Sequence, residues 1–155
     1  MARVIWGPRS AARDAHMSLP DGLPPQLVDF DIKITRVESL RPSLGIELEH
    51  GGKCCHYRED IEINDAETLE TTKDGTRIVV ARGKQVYVAG WLDQDGWMQI
   101  LRKQCQDLGL DLYDLPAGLR CRDTLTERFW INYDALDHTI DGLTVPALSY
   151  SVQPI

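Results

Sequence analysis

What the sequence lacks narrows its possible roles. No apolar run approaches the ~18–20 residues that cross a bilayer, and the first eight residues hold no apolar segment long enough for a signal peptide. There is no excess of basic charge: 17 Lys and Arg against 24 Asp and Glu leave a net charge of −7. That balance excludes a phosphate-binding surface for nucleic acid and disfavours an anionic membrane as partner. Cysteine is sparse, and Cys54, Cys55, Cys105 and Cys121 show no CxxC spacing, so neither a disulfide framework nor a redox motif is predicted. No GxSxG elbow, P-loop or GxGxxG occurs, and no cofactor is expected. A cytoplasmic location is the default expectation.

The remainder is ordinary for a folded chain: 43% hydrophobic and 26% charged residues. Arg3-Val-Ile-Trp6 reads as a strand that stops at Gly7-Pro8. A buried strand beginning almost at Met1 leads to the expectation that sequence upstream has been removed. Residues 9–25 form a long polar loop, and Pro25 opens a short helix over residues 26–30. Ile32–Val37, Ile46–Glu49 and Cys54–Ile63 read as strands with a turn at Gly51-Gly52, and residues 66–72 fit helix or strand equally. Arg77–Ala81 and Gln85–Ala89, joined by Arg82-Gly83-Lys84, are predicted to form an antiparallel hairpin. A helix follows, capped by Asp93 or Asp95 and stopped by Gly109. Its apolar face of Trp97, Ile100, Leu101, Cys105 and Leu108 should pack on the hairpin sheet. After Pro116 only short strands remain: 119–122, 128–133, 138–140 and 143–145, the last two joined by an Asp141-Gly142 turn. The predicted organisation is a first domain at residues 1–115 and a small antiparallel β domain at 116–155.

Chemistry is harder to place. A retaining glycosidase needs two carboxyl groups about 5 Å apart beside a sugar-sized cleft. Here Glu47 with Glu49, and Asp60 with Glu62, read as the solvated faces of strands. Gly52-Lys-Cys54-Cys55 resembles a nucleophile turn, but no helix follows it, and no catalytic residue is assigned. His50, Cys54 and His56 are the candidates for a metal, with Cys54 and His56 sharing a strand face and His50 curling back across the turn. Their spacing matches no common zinc pattern, and buried thiols are the plainer reading. Of four tryptophans, Trp91 and Trp130 are the candidates for stacking on a sugar; packing explains them as well.

Several segments, taken in order, resemble the region that follows the barrel in family 42 β-galactosidases. Gly7-Pro8-Arg9-Ser10, then Leu23-Pro24-Pro25, then Thr35-Arg-Val-Glu38-Ser39 resemble the middle of that family's trimerisation domain. Gly83-Lys-Gln-Val-Tyr-Val-Ala-Gly90 is similar to its next turn and strand, and Phe129-Trp-Ile-Asn132 to a strand of its C-terminal β domain. Ser10-Ala11-Ala12 and Lys84-Gln85 depart from glycine-containing positions. The resemblance implies an α/β fold: a partial flavodoxin-like layer, akin to class I glutamine amidotransferases, followed by a small antiparallel β domain and strand-rich overall. It implies that the opening half of that domain and the barrel with its catalytic glutamates are absent. It further implies self-association (trimeric in the parent family), with a galactoside substrate belonging to the parent enzyme. The alternative is a carbohydrate-binding β module.

Overall fold

The computed structural model describes residues 3–20, 24–110, 112 and 114–155. Residues 21–23, part of the expected loop, lie outside them. The chain divides into two compact units, Met1–Leu110 and Asp111–Ile155.

Unit 1 is built on a four-stranded sheet whose strands are β1 (Val4–Trp6), β5 (Glu67–Thr71), β6 (Arg77–Arg82) and β7 (Gln85–Val88), in the spatial order β1-β7-β6-β5. The remaining strands of unit 1 are β2 (Ile32–Ser39), β3 (Ile46–Glu47), β4 (Lys53–Ile63) and β8 (Gly90–Leu92). β6 and β7 pair as the expected hairpin, with Val80 opposite Tyr87 and Val79 opposite Val88. Their continuous apolar run is that of strands covered on both faces. On one side Val79, Val86 and Val88 meet Ile100 of the helix α1 (Gln94–Asp107); on the other Val80 and Tyr87 meet Phe30, Ile32, Ile34 and Ile61. α1 thus covers one face, while β2 and the far half of β4 cover the other. β1 runs parallel to β7, and every other pairing in unit 1 is antiparallel. The strand-rich expectation holds on this architecture.

α1 starts and stops where the sequence signals placed it. The Asp93 carboxylate accepts from the Gly96 N–H at 2.9 Å and from the Lys53 N–H at 3.0 Å, so the cap also ties the helix to β4. At the other end Gly109 takes φ +67°, and the N–H groups of Gly109 and Leu110 donate to the carbonyls of Gln106 and Cys105. The buried line of the helix differs from the expected one. It runs through Gly96, Ile100 and Gln104, leaving Leu101 and Leu108 on a flank. Gly96 is the cause: the Cβ it lacks would lie 3.1 Å from Leu48, so the helix settles on its smallest residue.

The short helix expected over residues 26–30 is a tight turn closed by a bridge between Leu27 and Phe30. Asp29 sits in the left-handed region at φ +56°, and the Val28 and Asp29 carbonyls accept from Gln85 and Arg82 at 2.7 Å, so neither serves a helix. Residues 66–72 resolve as strand because β5 pairs along β6.

Unit 2 contains β9 (Leu119–Asp123), β10 (Glu127–Asn132) and β13 (Tyr150–Pro154) in the order β13-β10-β9, with the hairpin β11 (His138–Ile140) and β12 (Leu143–Val145). Asp141 and Gly142 both take positive φ, as a two-residue hairpin turn requires. The core holds Leu119, Trp130 and Val145, with Leu115, Cys121, Ile140 and Leu143 against it. β13 was not legible: it is an edge strand ending in Pro154, and its alternation is short.

Candidate functional site

Among the described residues two acidic side chains are buried, Glu59 and Glu70, and both were passed over in the sequence. Glu59 lies on β4 at the same parity as Tyr57 and Ile61, facing inward, whereas Asp60 and Glu62 face out. Its carboxylate is closed by three donors: the Tyr87 hydroxyl at 2.6 Å, the Tyr57 hydroxyl at 2.9 Å and the Arg9 N–H at 3.1 Å. The Arg9 guanidinium stands 6.0 Å from the centre of the Tyr57 ring. Burial pushes the Glu59 carboxyl up from its ordinary range, and the three donors oppose the rise. Burial and the neighbouring carboxylate push Tyr57 up to about 12. The cluster fastens the loop after β1, where Arg9 takes φ +66°, to the centre of unit 1. With every oxygen engaged in holding a fold, this carboxylate is an anchor.

Glu70 sits on β5 beside a groove of about 340 Å³ lined by His50, Glu67, Leu69, Gln99, Ile100 and Lys103. It accepts from its neighbour's N–H at Thr71 and contacts His50 Nδ1 at 3.0 Å. Glu59 and Glu70 stand on different strands, each closed on its own partners. Glu47 is held by Lys73 at 2.6 Å, which keeps its carboxyl below the usual range.

The structure sets the metal candidates apart. Cys54 is fully buried in the core, where burial pushes its thiol up to about 11, and its Sγ donates to the Tyr57 carbonyl. A thiol kept protonated is a poor ligand. His50 is turned to Glu70, and His56 is exposed at a break in the β4–β8 register, with φ +62°. Among the described residues no three His, Cys, Asp or Glu side chains lie close enough to share an ion. The sugar candidates also separate. Trp130 is 2% exposed, and its indole N–H donates to Gln153 at 3.0 Å, so it has no free face to offer a ring. Trp91, on β8, is 58% exposed.

The outward face of unit 2 was missed. Phe129 pairs with Val152 and Ile131 with Tyr150, on the face opposite Trp130, so this part of unit 2 carries apolar side chains on both faces. Ile131, Tyr133, Leu148 and Tyr150 line a hollow of about 250 Å³. The signal was available in Phe-Trp-Ile-Asn-Tyr, which fails to alternate.

Comparison with known proteins places these features. The sequence model described as "Beta-galactosidase trimerisation domain" matches residues 2–111. A β-galactosidase of Thermus thermophilus is 32% identical over 136 residues, which make up 84% of this chain and 21% of that protein. The chain thus spans about a fifth of the curated relatives it matches. The crystal structure of β-galactosidase from the psychrophilic Marinomonas ef1 superposes with a TM-score of 0.83 at 22% identity, covering 96% of this chain and 24% of the other. That from Bacillus circulans sp. alkalophilus gives 0.82 at 19% identity, covering 96% and 28%.

Proposed function

Because the chain belongs to the β-galactosidase trimerisation domain family, we propose that it is the non-catalytic C-terminal portion of a family 42-type β-galactosidase, serving subunit association and support of a catalytic barrel. The observation that carries this reading is the family match across residues 2–111, nearly all of unit 1. The parent reaction is hydrolysis of terminal β-D-galactosides, for which two carboxyl groups are mounted on the barrel. In this reading residues 1–115 are a partial trimerisation domain, residues 116–155 its C-terminal β domain, and the parent works in the cytoplasm as a trimer. No helix among the described residues is long and apolar enough to cross a membrane. The parallel β1–β7 pair with α1 over one face is what supports a partial flavodoxin-like layer, since parallel strands occur in sheets covered by helices.

Sedimentation velocity from micromolar to millimolar concentration is expected to show assembly beyond the monomer, together with no turnover of a chromogenic β-galactoside. A single monomeric species throughout, or turnover abolished by mutating one of the chain's own acidic residues, overturns the reading.

A second reading, a carbohydrate-binding module, is favoured by one observation: the exposed hollow between Tyr133 and Tyr150, of a size to seat one sugar ring against an aromatic face. Calorimetric titration with galactose and lactose separates the two. The association reading expects no saturable heat. Saturable heat that disappears in Tyr150→Ala would assign unit 2 to sugar binding instead.

A further inference from the structure

The groove of about 340 Å³ between α1 and β5 lies at the sheet edge opposite β1, and its two walls carry opposite charge. A bulge makes the strand wall. In a regular strand, residues three apart point to opposite faces. β5 holds an extra residue between Thr68 and Glu70, so Glu67 stands opposite Ala81 and Glu70 opposite Val79, which are two apart on β6. Both acidic residues thereby come to the face that α1 covers, where Val79 and Ala81 pack. The helix wall needs no such device: Gln99 and Lys103, four apart, stand one above the other. Leu69 and Ile100 supply the apolar lining between the walls.

The fold leaves these groups with spare bonding capacity. A carboxylate offers about four lone-pair sites, and Glu70 fills one on each oxygen, with the Thr71 N–H at 3.0 Å and with His50 Nδ1 at 3.0 Å. Glu70 is only 3% exposed, which makes the remaining sites costly to leave empty. Glu59, the other buried acid among the described residues, meets three donors. Glu67, Gln99 and Lys103 have no hydrogen-bond or ion-pair partner among the described residues, so Lys103 closes on neither acid across the groove.

We propose that this groove binds a small zwitterion, a free α-amino acid, with its ammonium group on Glu67 and Glu70 and its carboxylate on Lys103 and Gln99. The two walls select against simpler ligands. A lone amine is drawn to the acidic wall and repelled by Lys103; a lone anion meets two acids. A metal ion lacks ligands, because among the described residues no three His, Cys, Asp or Glu side chains lie close enough to share one. An ammonium group has three donors to place, and Glu67 and Glu70 hold the open acceptors. The volume is near the small end of the range for ligand pockets, about 300–1,000 Å³. This inference stands apart from the association reading and survives or fails without it.

The test is titration of the isotope-labelled full chain with L-alanine, followed by NMR. Saturable shifts are expected at residues 67–70 and 99–103. Ethylamine and propionate, which are alanine without one or the other charge, are expected to bind about tenfold more weakly or worse, and galactose to leave these residues unmoved. Lys103→Met, a change at an exposed position, and Glu70→Gln are each expected to weaken alanine binding by about tenfold or more. Circular dichroism confirms that each variant is folded; if Glu70→Gln is not, Glu67→Gln takes its place. The proposal is overturned by an absence of saturable shifts with alanine, by ethylamine or propionate binding as tightly as alanine, by galactose saturating the same residues, or by undiminished alanine binding in Lys103→Met.

Discussion

Replacing Glu59 with alanine is expected to destabilise unit 1 by about 3–4 kcal/mol, since each buried donor left without an acceptor costs about 1–3 kcal/mol. Tyr87 is fully buried and points its hydroxyl at Glu59, Tyr57 does so from the same strand, and the Arg9 N–H donates to the same carboxylate. Removing the carboxylate regains its own desolvation cost, which keeps the loss below the sum of three donors. Hydrogen exchange read by mass spectrometry should show deprotection at residues 9–12 first, because Arg9 holds a positive φ that a non-glycine residue adopts at a cost of about 1–2 kcal/mol. Glu59→Gln keeps shape and one strong acceptor and should cost about 1 kcal/mol.

The pH dependence has a definite sign. Glu59 is raised in the folded state, chiefly by burial. A carboxyl raised on folding contributes stability that is complete below its unfolded value and is lost as pH rises through its folded value. The stability advantage of wild type over Glu59→Gln should therefore be largest in acid and shrink toward neutral pH. Urea unfolding of both proteins at a series of pH values measures it; a gap that stays flat means that Glu59 is not shifted by its surroundings. Asp74, held low by Thr72 and Arg58, titrates alike in both proteins and drops out of the difference.

The second large effect belongs to unit 2. Trp130→Ala should cost about 3–5 kcal/mol, the usual range for deleting a buried aromatic side chain. Trp130 shares the apolar core of unit 2 with Leu119 and Val145, and its loss also frees Gln153. A unit this small holds only about 2–7 kcal/mol in total. The expected result is near-complete exchange across residues 119–154 while the β6–β7 hairpin of unit 1 stays protected. Asn132 cannot compensate, although it stitches β10 to the Leu136, Val145 and Pro146 carbonyls, because those bonds need the strand in place. If exchange in unit 2 is unchanged, Trp130 is not the keystone that its burial implies.

Local signals were legible wherever a short segment settles its own conformation. The β6–β7 hairpin follows from two β-branched runs around a glycine turn, α1 from Asp93 and Gly109, and the β11–β12 turn from Asp141-Gly142. The order of motifs from Gly7 to Asn132 also carried the family. Legibility failed where the outcome depends on contact with something distant. The turn at residues 26–30 was misread as helix because Arg82 and Gln85, more than fifty residues away, take its carbonyls. β8 and β13 are too short to show a period and exist through their pairing with β4 and β10.

Alternation and capping are properties of neighbours in the chain, so the sequence alone determined the β6–β7 and β11–β12 hairpins, the limits of α1 and the absence of nucleophile and phosphate motifs. Which side of each element is buried is a property of approach in space. Only the tertiary structure turned Glu59 inward while Asp60 and Glu62 stayed out. It likewise seated α1 on Gly96, so that its leucines were left on a flank, and put Trp130 in a core while exposing Tyr133 and Tyr150. Burial is decided by how closely two backbones can meet, and that distance is set by residues far apart in sequence.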